Sequence, residues 1–523
     1  MPARQYVASL ASAAALLAAV AACSSSSTST TASRTLVIDN SFVLKTADPG
    51  RMFEPTGELV DYAAYDTLLT FNGSDVTKPV PDLATSYTSA NGGRTYSFTL
   101  NPKARFADGT PVTAQDVVFS FRRLINLKGN PSFLLAGETI SASDSKTVVL
   151  ASAQPNPALP FILPNPALGI LEAKVVQAHG GTDAADASTA DTAESYLNDH
   201  SAGSGPYVIS QFSLTSQVVL KENTKYWGAK PAYSTIVIRN TPASVQRLDV
   251  LRGGPQISTD LSPNQAAGLS GAQVLHAASA NVFFLFTNEN PAVSKVTANP
   301  HFQQAVRYGI DYGGLVSLAG PGAIQTPGII PSMFLGSLPA ADEVHYDLAK
   351  AKAALAASGI ANPAVSLSYP SDIQVNGLSF GDLASRIQVD LGRVGIKVTL
   401  APASVQVALQ TYRTGQEQMG LWYWGPDFPD PSDYLNFLPG QLVGLRAGWK
   451  AAADPSLTAL GNSAAATTAS SQRVQLYRQI QQDMNQSGPF MPLIQPAAVV
   501  VASNSVKNVQ SNPLWLVDIR GLG

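Results

Sequence analysis

This 523-residue chain contains a single cysteine, Cys23. No internal disulfide can form, so the folded body must be held by its cores and polar pairs alone. Charge is also scarce: 13% of residues are Asp, Glu, Lys or Arg, and the formal net charge is −3. No basic stripe stands out, which removes nucleic acid as an expected partner. The five histidines, at positions 179, 200, 276, 301 and 345, lack metal-ligand spacing, so neither a metal nor any other cofactor is expected. The signature H-E-x-x-H is missing, and with it the commonest zinc-protease reading. The leading apolar run, residues 7–22, is sixteen residues long. That is short of the roughly 20 that a membrane span needs.

That run has another meaning. Arg4 supplies a positive start, small apolar residues follow, and Val20-Ala21-Ala22-Cys23 closes the stretch. This is the order of a signal peptide, here residues 1–22. The last four residues resemble the bacterial lipobox, whose cysteine becomes a lipidated N-terminus. Two or more acyl chains anchor a protein stably. Residues 24–33, SSSSTSTTAS, contain nothing that could drive ordering. They read as a flexible leash of about 17 Å mean span. Residues 23–33 are therefore expected to be a lipidated Cys23 and tether. They would hold an extracytoplasmic body at the outer face of the cell membrane.

The length suggests about three domains in that body. Residues 36–38 read as an opening strand and 62–71 as a helix running into a strand. Thr95–Leu100 alternates with Tyr96, Phe98 and Leu100 on one face. Asp108-Gly109 marks a turn, Thr113 with Asp116 forms a capping-box pattern, and Val117, Phe121 and Leu124 make a helical stripe. Residues 152–167 read as irregular and 178–193 as a surface excursion. A hairpin is expected from 208–212 and 218–221, and a strand at 236–239. From Asn299 the texture becomes alternating α/β. Asn299-Pro300 opens one helix, Asp347 caps another (Leu348–Ala357), and Phe380–Val394 is amphipathic with Gly395 at its end. Further strands are expected near 365–369 and 396–400, a helix at 473–484, and Pro-punctuated strands at 490–501.

The chemistry concentrates in residues 421–435, LWYWGPDFPDPSDYL. Trp422, Tyr423 and Trp424 run into Asp427, Asp430 and Asp433, and three prolines stiffen the segment. Ring faces beside negative charge suit a partly apolar ligand with a cationic end. Taken alone, the segment also fits a structural aromatic corner. Aromatics with paired carboxylates describe glycosidases too. Asp427 and Asp430, three residues apart in a proline-rich loop, do not set the opposed geometry that reaction requires.

Four blocks in order carry a family resemblance. They are residues 94–124 (RTYSFTLNPKARFADGTPVTAQDVVFSFRRL), Gly205-Pro206-Tyr207 with Tyr226-Trp227-Gly228, residues 302–311 (FQQAVRYGID), and residues 424–435. Together they resemble the extracellular solute-binding proteins of family 5, the oligopeptide, dipeptide and nickel receptors of ABC importers. The resemblance implies an α/β, periplasmic-binding-protein-like two-lobed fold (type II, cluster C) with an extra small domain. It places lobe I in 34–75, 204–290 and 494–523, the extra domain in 76–203 and lobe II in 291–493. It implies a non-enzymatic, monomeric receptor that captures a peptide or other small solute and delivers it to an ABC permease and ATPase complex. By the family's Trp-x-x-Asp pattern, Asp427 would receive the ligand's α-amino group, with Trp424, Trp422 and Tyr423 bordering the pocket. Arg413, upstream of the loop, is the candidate partner of a ligand carboxylate. Ser204 replaces the family's usual threonine. A sugar, an opine or a metal chelate as ligand, and a sensing role without transport, remain open at this stage.

Overall fold

The computed structural model describes residues 34–523. The expected signal segment, Cys23 and the leash lie outside the described residues. Among those described, no helix is long and apolar enough to cross a membrane.

Two sheets divide the chain into two lobes. The first has seven strands, in the spatial order 272–278, 497–503, 256–258, 35–40, 235–240, 217–222 and 207–211. Thr35–Asn40 lies at its centre, parallel to both Thr235–Asn240 and Gln256–Ser258. Leu36 and Ile38 lie beside Ile236 and Ile238, and all four are fully buried, so the strand pair presents a continuous aliphatic face. The expected hairpin forms, with Tyr207–Gln211 antiparallel to Gln217–Glu222. The second sheet has six strands, in the order 324–325, 490–495, 282–287, 419–424, 364–370 and 397–403. Val282–Thr287 (VFFLFT) is buried at every position. Phe283 and Leu285 enter one core and Phe284 and Phe286 another, which is why the strand is apolar throughout rather than alternating. The helix Phe380–Val394 covers the first of these cores with Leu383, Ile387 and Leu391. It is capped by Ser379 and stopped by Gly395, whose φ is 107°.

The chain passes between the sheets twice. Ala272–Ala278 in the first is followed, after residues 279–281, by Val282–Thr287 in the second. Phe490–Gln495 in the second is followed, after Pro496, by Ala497–Ser503 in the first. Hydrogen bonds join the two crossings. The Ser279 N–H donates to the Pro496 carbonyl at 3.3 Å, and Gln495 Nε2 donates to the Ser279 carbonyl at 2.6 Å. Sheet membership therefore changes at 279–281 and at 496, whereas the resemblance set the lobe boundaries at 290/291 and 493/494. Val282–Thr287 pairs with Met419–Trp424 and Phe490–Gln495, both in the second sheet. Two other expectations shift. The helix placed within 62–71 spans Pro55–Ala64, with proline in its first turn, and the strand is Leu69–Asn72. Residues 178–193 are more than a surface excursion, because Asp191 within them is a buried anchor.

A third, four-stranded antiparallel sheet joins 84–90, 95–100, 147–152 and 138–142. The helix Ala114–Leu127 packs on it, opened by the Thr113/Asp116 capping box and burying Val117, Phe121 and Leu124. This helix is tied to the first lobe by ion pairs with no solvent access. Arg123 Nη1 and Nη2 donate to the two oxygens of Asp48, each at 2.6 Å, and Nε donates to Asp191 Oδ2 at 2.7 Å. Burial pushes the Asp191 carboxyl up, but the hydrogen bonds and charge of Arg123 outweigh it and hold Asp191 below the usual carboxylate range.

The blocks at 205–207 and 226–228 meet at one carboxylate. Ser204 Oγ and Trp227 Nε1 each donate to Asp66 Oδ2 at 2.9 Å, and Arg520 pairs with Asp66 Oδ1 at 3.0 Å. Serine in place of threonine keeps the hydroxyl that this bond uses. A Cβ on Gly205 would lie 2.6 Å from the Ala64 carbonyl carbon, so only glycine allows the loop this close to the helix end.

Arg123→Met would leave buried Asp48 and Asp191 with only the partly exposed Arg51 as a cation. Urea unfolding at pH 7 should show a loss of about 3–5 kcal/mol, and adding Asp48→Asn and Asp191→Asn should recover part of it. A loss under about 1 kcal/mol, the scale of an exposed pair, would show that the cluster does not tie these elements together.

Candidate functional site

Strand alternation along Met419–Trp424 turns Trp422 and Trp424 to one face and Tyr423 to the other. Trp422 stacks on Tyr412, with ring centroids 4.5 Å apart and planes 18° apart, and donates its indole N–H to Glu417 Oε2 at 2.9 Å. Trp424 donates its indole N–H to Asp433 Oδ2 at 2.8 Å. Tyr423 packs the other way, against Phe283 and Phe380. Beyond the strand the chain bends through 427–430 into the 3-10 turn Pro431–Phe437, which Asp430 caps through the Ser432 N–H at 2.9 Å. Asp433 Oδ2 also accepts the Asp427 backbone N–H at 3.3 Å. From the other side, Asn165 Nδ2 donates to the Asp427 carbonyl at 3.2 Å. Asp427 is thus held at its own N–H and its own carbonyl.

This loop forms one wall of a cavity of about 420 Å³. Phe53, Glu58 and Leu514 come from the first lobe, Phe161 and Asn165 from the segment after the four-stranded sheet, and Trp422, Trp424, Asp427 and Arg446 from the second lobe. The volume falls within the roughly 300–1,000 Å³ usual for small-ligand sites. A larger polar hollow of about 710 Å³ is lined by Arg307, Tyr308, His345 and Gln482 and touches none of this loop. It lies within the second lobe alone. Enclosure between lobes and the aromatic lining favour the smaller cavity as the functional one.

The charge distribution separates Asp427 from its neighbours. Asp430 is buried and paired, accepting from Arg473 Nη1 at 2.9 Å and Nη2 at 2.6 Å. That pairing removes Asp430 as the second carboxylate of a hydrolase. Among the described residues, Asp427 has no such cation. Arg446 is the only basic side chain lining the cavity among the described residues, and its guanidinium lies 4.7 Å from the centroid of the Tyr412 ring. Burial pushes the Asp427 carboxyl up to about 6, opposed by a hydrogen bond with Asp433. Asp433 is driven well above the usual range by burial and then by the charge of Asp427. Glu58, across the cavity, is pushed up to about 8 by burial, then by the charges of Asp427 and Glu54. The cavity therefore holds anionic capacity that the protein itself leaves uncompensated.

Of the residues expected from sequence, Asp427, Trp424, Trp422 and Tyr423 line the cavity. Arg413 does not: it is exposed at the end of the helix Val405–Arg413, and the same helix turns Leu409 and Tyr412 inward instead. The arginine at the cavity is Arg446, the first basic residue after Asp427 in the chain, a position that could have flagged it. Glu58 had no such signal, since it lies more than 350 residues from the loop in an ordinary helical run.

Trp424→Phe keeps a ring but removes the N–H that Asp433 accepts. Leaving that buried carboxyl short of a donor should cost about 1–3 kcal/mol in denaturant unfolding and weaken ligand binding. Unchanged stability would show that the indole N–H does not fix the loop.

The model for bacterial extracellular solute-binding proteins, family 5 (middle region), matches residues 78–442. The probable D,D-dipeptide-binding periplasmic protein DdpA of Escherichia coli (strain K12) is 28% identical over 492 residues, covering 92% of each chain. Among solved structures, the periplasmic binding protein DppA of Helicobacter pylori in complex with peptide STSA has a TM-score of 0.75 at 22% identity, covering 93% of this chain and 97% of that one. The dipeptide-binding protein of Pseudoalteromonas sp. SM9913 in complex with Met-Leu has a TM-score of 0.76 at 19% identity, covering 93% and 99%. Fold, cavity and sequence agree, and the chain belongs to the bacterial extracellular solute-binding proteins of family 5.

Proposed function

We propose that this protein is the substrate-binding receptor of an ABC importer and captures short peptides, two or three residues long, by their free amino end. The observation that carries this reading is Asp427, a carboxylate in an aromatic cavity between two lobes, with no cation of the protein paired to it. An ammonium that leaves water needs a charge-assisted partner, and a carboxylate in such a place needs a cation. Arg446, over Tyr412, offers a guanidinium to the carboxylate end of the same ligand. The D,D-dipeptide-binding relative of Escherichia coli supports the peptide reading. Closure of the lobes selects the bound form, and a membrane permease reads it. The ligand leaves unchanged: the receptor delivers and does not convert. Lipidation at Cys23 would keep the body beside that permease.

Calorimetry with L-alanyl-L-alanine and with its N-acetyl derivative tests the reading. The free-amine peptide should bind and the acetylated one should not. Asp427→Asn should lose about 2–5 kcal/mol, roughly 30-fold or more in Kd. Because the empty-site carboxyl titrates near 6, affinity should fall as pH drops below that value, by up to about tenfold per pH unit. Equal binding of both peptides, or an unaffected Asp427→Asn variant, would overturn the assignment.

A further inference from the structure

Glu58 lies in the first turn of the helix Pro55–Ala64, on the first lobe, and lines the cavity opposite the loop that carries Asp427 on the second. Its carboxylate takes no hydrogen bond and no ion pair from any described residue. The charged groups around it are acidic: Glu54 before the helix, Asp61 one turn further along it, and Asp427 across the cavity. The one lining guanidinium, Arg446, is engaged with Tyr412.

We propose that Glu58 and Asp427 form a two-carboxylate clamp, one jaw from each lobe, that takes a single primary ammonium of the ligand between them and makes that cation the latch between the lobes. This rests on the reading of the cavity as an amine site and adds the second jaw. A primary ammonium has three N–H donors, enough to reach both carboxylates, whereas a quaternary ammonium has none. The ligand class narrows accordingly to free primary amines, with N-acylated and N-trimethylated peptides excluded. Empty and above the titration of Glu58, the clamp opposes closure through like charge; loaded, it favours closure.

Protonation follows from the same geometry. With its carboxyl pushed up to about 8, Glu58 carries a proton at pH 7 while the site is empty, and an arriving ammonium displaces it. Peptide binding at pH 7 should therefore release close to one proton from this residue.

Two measurements decide the matter. In calorimetry of full-length protein with L-alanyl-L-alanine across buffers of different ionisation enthalpy, the wild type should release about one proton more than Glu58→Gln, and the variant should bind about 10- to 100-fold more weakly. Equal proton release and equal affinity would overturn the clamp. If Asp427→Asn also bound normally, the amine site itself would fall; an effect of Asp427→Asn without one of Glu58→Gln would sink only the second jaw. The ligand-free protein provides the second test. A carboxyl whose folded pKa lies above its unfolded value loses its stabilising contribution as pH rises from about 4.5 to about 8. Glu58→Gln should therefore raise Tm at pH 8.5 and not at pH 5. At pH 8.5 its gain should shrink when Asp427→Asn is already present, because the opposing charge is gone. Additive effects, or a gain independent of pH, would show a Glu58 that is structural only.

Discussion

A carboxylate removed from water is stabilised by a cation, and this protein supplies one at several buried sites. Arg123 answers Asp48 and Asp191, Arg520 answers Asp66, and Arg473 answers Asp430. Asp427 has no such cation among the described residues, and its backbone is held in place. Its N–H is taken by Asp433 and its carbonyl by Asn165, so the loop cannot relax toward a surface lysine or into solvent. Leaving one buried charge unmatched costs stability, and on the proposed reading the ligand's ammonium offsets that cost. The site is in this sense an unfinished ion pair.

The architecture makes that incompleteness reversible. Two sheets meet at two chain crossings bonded to each other through Ser279, Gln495 and Pro496, and the cavity draws its walls from both sides of that junction. The two crossings are the only places where the backbone passes from one of these two sheets to the other among the described residues. The stiff proline loop and the stacked Trp422–Tyr412 pair keep one wall fixed. On the proposed reading, the ligand would meet the proline loop on the second lobe and Glu58 on the first. Structural ion pairs away from the cavity carry the load of holding each lobe together, which leaves the cavity free to be electrostatically unsatisfied.

Much of this was legible in the residues. The helix Phe380–Val394 announced itself by apolar spacing and a terminal glycine, and the capping box at Thr113 by its Asp116 partner, because these are local devices. The aromatic-acidic loop was legible for the same reason, since all its parts lie within fifteen residues. What was not legible was adjacency across the fold. Arg413 and Arg446 look alike in one dimension, and only the pitch of the helix Val405–Arg413 decides that Tyr412 faces the cavity while Arg413 faces water. Glu58 comes to share a cavity with Asp427 only through the folding of both lobes. The crossing at 279–281 was invisible because apolar strands flank it on both sides, and only hydrogen-bond partners distinguish one sheet from the next. Asp191 hid in a low-complexity stretch whose composition gave no hint of a buried ion pair.

The most direct test of the whole account is a crystal structure of the protein with a bound short peptide. The account predicts an intact peptide between the lobes, its terminal nitrogen about 3 Å from an oxygen of Asp427 and within reach of Glu58. A peptide bound elsewhere, one turned so that its carboxylate meets the acidic loop, or one found cleaved would contradict it.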